Sequence, residues 1–167
     1  NMANKKQKEA IDWFLGKAKT SIGYRRRLFN YHPDRARGST VIGKMFFFEY
    51  DPKHKATLPI YDRFPLVFPI ERYSDGFLGL NLHYLDTSQR VAILGKLSEF
   101  ANNSKMNETT RLRLSYDLLS RTKYLGTVSP CIKRYLTGHV RSDFIEITAN
   151  EWDKVAQLPV QIFITRK

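Results

Sequence analysis

The stretch FPLVFPIERYSDGFLGLNLHYL, Phe64 to Leu85, holds two strand-like runs joined by Ser74-Asp75-Gly76. Asp followed by Gly supplies the side-chain hydrogen bonding and the backbone freedom that a tight turn needs, so the stretch predicts a β-hairpin. Past the turn, Leu78, Leu80, Leu82 and Tyr84 alternate with Gly79, Asn81 and His83. A period of two places the first set on a buried face. The second set could line an active site, or let a chain segment or a sugar-phosphate backbone approach closely. The preferred reading is plainer: a helix covers this face and the small residues make room for it. Pro65 and Pro69 each lack an N–H, which confines the first run to an edge, a bulge or a bend.

Upstream, VIGKMFFFEYDP, Val41 to Pro52, is a strand apolar on both faces, ended by Asp51-Pro52. KHKATLPIYDRF links it to the hairpin as a loop. Downstream, Thr87 to Ala101 reads as a helix with the stripe Val91, Leu94, Leu97, Phe100. Glu108 to Arg121 reads as another, with Leu112, Tyr116 and Leu119 inward. Pro130 opens a third segment, CIKRYLTGHV. DFIEIT is a strand, and Thr148-Ala149-Asn150-Glu151 fits a capping box that opens a short helix through Trp152 and Val155. LPVQIFI reads as a final strand. At the other end, Lys5 to Ile22 forms an amphipathic helix with Asn4 as N-cap, its stripe being Ala10, Ile11, Phe14, Leu15, Ala18 and Ile22. Asn1-Met2 reads as an initiator Met2 behind one added residue.

The expected fold is α+β: a small curved antiparallel sheet or SH3-like barrel, with an N-terminal amphipathic helix and inserted helices. The order runs helix, arm, three strands, two or three helices, strand, short helix, strand. Residues 1–40 form a basic helix and arm, and residues 41–167 a single domain. At 167 residues and 42% hydrophobic, the chain is long and apolar enough for one real core. No apolar run approaches the ~18 residues of a membrane span. The lone cysteine, Cys131, has no partner for an internal disulfide and is expected to be packed as a small apolar residue.

Charge is the strongest functional signal. The net is +12, and residues 1–44 hold eleven Lys/Arg against three acids, while residues 45–167 hold seventeen against thirteen. Two thirds of the surplus therefore lies in the first quarter of the chain. Such asymmetry points to a polyanion. Arg25, Arg26, Arg27, Arg35 and Arg37 are interleaved with Tyr24, Phe29 and Tyr31. Arginines grip phosphates and aromatic rings stack on bases. Candidate nucleic-acid contacts are Lys5, Lys6, Lys8, Lys17, Lys19 and these five arginines, with Lys123, Lys133, Arg134 and Arg141 in the body.

Enzymatic constellations are weak. There is no Walker loop, dinucleotide glycine pattern or nucleophile elbow. His32, His54, His83 and His139 are scattered singly, so no metal and no cofactor is expected. A metal-dependent nuclease would need grouped carboxylates, and Glu49, Asp51 and Lys53 with Glu71 and Asp75 are the only set on offer. Asp51-Pro52 and Ser74-Asp75-Gly76 are better explained as turns.

Two long blocks, GKMFFFEYDPKHKATLPIYDRFPLVFPIERYSDGFLGLNLHYL and CIKRYLTGHVRSDFIEITANEWDKVAQLP, resemble small basic proteins of T-even-type tailed bacteriophages, often labelled DNA end protectors. The resemblance spans about Ala10 to Phe163. It implies a virion-associated protein that binds the termini of linear double-stranded DNA and shields them from host exonuclease, in the virion or the host cytoplasm. It assigns no individual binding residue. The alternative is a head, neck or baseplate adaptor whose basic arm docks on other virion proteins. Neither reading involves a membrane.

Overall fold

The computed structural model describes residues 2–23, 44–51 and 63–160. The elements run α1 (Met2–Gly23), β1 (Met45–Phe47), β2 (Leu66–Tyr73), β3 (Gly76–Asn81), α2 (Thr87–Ala101), α3 (Glu108–Arg121), β4 (Ile132–Leu136), β5 (Ile145–Ile147) and α4 (Trp152–Ala156). The five strands form one antiparallel sheet in the order β4-β3-β2-β1-β5.

The hairpin stands at the centre. β2 and β3 pair from Tyr73↔Gly76 to Val67↔Asn81, with a bulge between Pro69 and Glu71. β1 pairs β2 only at Val67 and Leu66, so the missing Pro69 N–H falls where β2 has no β1 neighbour. This is how a proline is tolerated in a central strand. Gly76 is required for a second reason besides the turn: a Cβ there would overlap the Tyr135 carbonyl of β4.

The α+β class and the antiparallel sheet hold. Among the described residues the sheet is the open alternative and not a closed barrel, with β4 and β5 as its two edges. There β1 and β5 are three residues long. The segment after Pro130 is a strand rather than a third helix. It extends the sheet through Leu80↔Ile132 to Gly76↔Leu136. The expected first strand is shorter: β1 covers Met45–Phe47, and beyond it Tyr50 makes only an isolated bridge to Val140. Val41–Gly43 lie outside the described residues, as do most of the 53–64 loop and the end of LPVQIFI.

Both sheet faces are covered. On one lies the main core, where Phe47, Leu66, Phe68, Leu80 and Leu82 meet α1, α2, α3 and α4. On the other, Phe48, Val67, Phe77 and Tyr135 pack with Tyr50, Val140 and Phe144. Phe48 touches four rings edge-on, the nearest being Phe144 at 4.8 Å. Aromatic pairs in this geometry stabilise beyond the area they bury.

Several local expectations give way to tertiary packing. In α2, Leu94 and Leu97 are buried, but Val91 is 54% exposed and Arg90 takes the inward place. In α3, Leu119 is buried, but Tyr116 points outward and Ser115 inward. The capping box at Thr148 does not form; Thr148 bonds Asn150 instead. A capping box forms where Asp86 accepts from the Gln89 N–H and Gln89 accepts from the Asp86 N–H. Cys131 is buried, and burial pushes its thiol above the ordinary range.

Candidate nucleic-acid interface

The helix α1 is fixed before it can present charge. Ala10, Phe14 and Ala18 are buried at helical spacing, with Ile11 and Trp13 packed beside them. Phe14 lies edge-on to Phe47 at 5.5 Å and to His83 at 5.0 Å. At 3.6 residues per turn, Lys5, Lys8 and Lys19 fall on the face away from Phe14, with Lys6 on the flank. All four are exposed, as are Glu9 and Asp12 on the same side.

Lys17 behaves differently. Its ammonium pairs with Glu151 at 3.1 Å, and the Trp13 indole N–H donates to the same carboxylate at 3.0 Å. Burial works to raise the Glu151 carboxyl, but these two partners outweigh it and hold it below its usual value. This is why Glu151 does not serve the predicted cap: α1 recruits it.

The body candidates are drawn into ion pairs. Arg134 meets Asp75 at 2.7 Å and lies over the Tyr73 ring at 4.5 Å. That guanidinium holds the Asp75 carboxyl below its usual range. Arg141 pairs with Asp51 at 3.2 Å. Lys123 pairs with Glu71 at 3.4 Å; desolvation works against its charge, yet Glu71 keeps the ammonium above its ordinary value. Lys133 lies over the Tyr84 ring at 5.5 Å. Such half-exposed pairs contribute about 0–1 kcal/mol each and can exchange a carboxylate for a phosphate. Arg25, Arg26, Arg27, Arg35 and Arg37 lie outside the described residues, between the end of α1 and Lys44. Lys44 itself approaches Glu146 at 3.9 Å.

The same pairs bear on nuclease chemistry. Glu49 is met by Arg63 at 3.4 Å, Asp51 by Arg141, Glu71 by Lys123 and Asp75 by Arg134. Lys53 lies outside the described residues. Each described carboxylate of the conceivable metal site therefore faces a cation of its own chain. Among the described residues, no group of three or more His, Cys, Asp or Glu is placed to hold a metal ion. No described helix is long and apolar enough to cross a membrane.

Gly79, Asn81 and His83 do not share one face, and no described helix covers the first two. Gly79 packs against Val67 and Tyr135, and the Asn81 amide donates to the Tyr135 hydroxyl at 3.0 Å, both on the aromatic side of the sheet. β3 ends at Asn81, and the 3-10 turn Leu82–Tyr84 breaks the alternation and brings His83 under Phe14 on the helical side. Sequence reasoning missed the residue that organises this corner. Arg90 is fully buried, and its guanidinium donates to the carbonyls of Leu82, His83, Val155, Leu158 and Pro159. It ties the end of β3 to the end of α4. A lone arginine on a helix carries no sign of this in sequence, because all these partners are backbone.

The described residues thus form an open α+β sheet whose outward cations are partly paired, carrying a helix with Lys5, Lys6, Lys8 and Lys19 exposed. The comparison with known families is specific: the chain belongs to the family described as phage T4 terminal DNA protecting protein, whose model matches residues 1–167. No curated protein and no solved structure matches the chain.

Proposed function

We propose that this protein protects the termini of linear phage DNA by binding them, without catalysis and without reading sequence. The observation that supports this most directly is the concentration of charge in residues 1–44, joined to a family whose description is DNA end protection. Lys5, Lys6, Lys8 and Lys19 with the arginines of residues 25–37 would contact phosphates. Lys17, Lys123, Lys133, Arg134 and Arg141 would contribute by exchanging their present partners. Phosphate contacts are blind to sequence and release counterions, so affinity falls steeply with salt. Occupation of the terminus by protein is enough to deny it to an exonuclease. The protein would act wherever those ends are exposed, in the particle or in the infected cell.

The test is binding to linear duplex DNA of unrelated sequences across a salt series, with and without Mg²⁺. Tight, salt-sensitive and sequence-blind binding without cleavage is expected. Absence of binding at low salt, or Mg²⁺-dependent cutting lost in Glu49→Gln, would sink the reading. Charge should be removed by substitution rather than by cutting off residues 1–40, because Phe14 belongs to the core.

A further inference from the structure

An end protector must distinguish an end from the interior of a duplex, and internal phosphodiesters cannot do this because both carry them. Besides its terminal 5′ phosphate and 3′ hydroxyl, an end exposes the flat face of its last base pair, an apolar surface that the interior hides. Among the described residues, five large hydrophobic side chains are markedly exposed, and three of them, Tyr116, Tyr124 and Leu125, fall within ten positions. Tyr124 is 84% exposed and Leu125 52%. Single exposed apolar residues need no explanation, but an adjacent Tyr-Leu pair in an exposed turn does.

The turn is well held. The Leu125 N–H donates to the Thr122 carbonyl, and the Leu125 carbonyl accepts from the N–H groups of Val128 and Ser129 at 3.0 and 2.7 Å. Val128 is buried and anchors the return of the chain. Tyr124 to Thr127 are all exposed between these fixed points. Basic groups flank the tip: Arg121 is exposed in the last turn of α3, and Lys123 is held by Glu71.

Resting on the end-binding reading above, we infer that Tyr124 and Leu125 cap the terminal base pair of linear duplex DNA. Tyr124 stacks on the exposed base face and Leu125 covers the remainder. Arg121 and Lys123 meet the last phosphates, Lys123 exchanging its carboxylate partner for one of them. An aromatic ring stacks on any base, so the cap needs no sequence preference. A tyrosine has few rotatable bonds, so holding it in place costs little entropy.

The experiment compares a short blunt duplex with the same duplex closed at both ends by hairpin loops. The wild-type protein should prefer the open form. Tyr124→Ala combined with Leu125→Ser should lower that preference about ten-fold, the range of one base–aromatic stack, and leave affinity for the closed form unchanged. Tyr124→Trp should retain the preference. Both positions are exposed, so the variants should fold; matching thermal unfolding to the wild type checks this. Full preference in the double variant, or equal loss on both duplexes, would overturn the cap. Wild-type binding equal on both duplexes would also overturn it while leaving DNA binding intact. Binding to neither would sink the broader reading as well. Loss of particle assembly in a double variant that keeps its end preference would instead assign the tip to a neighbouring protein.

Discussion

Phe14 meets His83 edge to face, with ring centroids 5.0 Å apart, and this packing seats the basic helix α1 on the end of β3. The charge of α1 therefore has a fixed direction. Its lysines are held outward by a helix whose inner face belongs to the core.

Phe14→Ala should separate packing from charge. Removing a fully buried phenyl costs about 3–5 kcal/mol, measurable by urea denaturation. Lys5→Gln, Lys8→Gln and Lys19→Gln together should change stability by no more than about 0.5 kcal/mol. The triple variant should reduce the slope of log affinity against log salt by about 0.9 for each phosphate that these lysines neutralise. An unchanged slope would show that they do not touch DNA.

The Glu151 carboxylate links α1 to the start of α4, and it makes stability depend on pH. Its folded-state pKa is depressed below the ordinary 4.5. Its contribution is therefore present above that value and lost as pH falls through the lower folded one. Urea midpoints of the wild type should fall below about pH 4.5 more steeply than those of Glu151→Gln. Parallel curves would refute the linkage.

Arg90 satisfies five carbonyls at once. Lysine in its place keeps the charge but offers three donors, so at least two buried carbonyls are left without their partner. Arg90→Lys should cost about 3 kcal/mol or more. Hydrogen exchange should quicken first in residues 152–158. A variant as stable as the wild type would mean that water replaces the guanidinium.

Gly76→Ala tests the junction of β3 and β4. The added methyl would overlap the Tyr135 carbonyl, a backbone atom that cannot rotate away. A destabilisation of about 2 kcal/mol or more is expected, the scale of an overpacked site. Substitution at Gly126, where a Cβ would meet nothing within 4 Å, serves as the control.

Elements governed by local pattern were legible in the chain. The hairpin with its Ser74-Asp75-Gly76 turn and the helices at 87–101 and 108–121 all follow from periodicity and turn chemistry. So does the inward face of α1. The Pro69 bulge was legible too, because a missing N–H restricts where a strand can pair. The short strand at Ile132–Leu136 was harder, since Ile, Tyr and Leu at that spacing suit a helix nearly as well as an edge strand.

Partner choice was not legible. Glu151 and Thr148 carry a cap signature, yet Trp13 and Lys17, far away in sequence, claim the carboxylate. Val91 fits a stripe, yet Arg90 turns inward because carbonyls of α4 wait for it. The amino-acid order alone determined the surplus of positive charge near the N-terminus and the alternation that builds the sheet, since both are properties of neighbours along the chain. Only the tertiary structure decided which cations are already paired and that Tyr124 stands in water. Those outcomes depend on distances between residues that sequence separates and folding brings together.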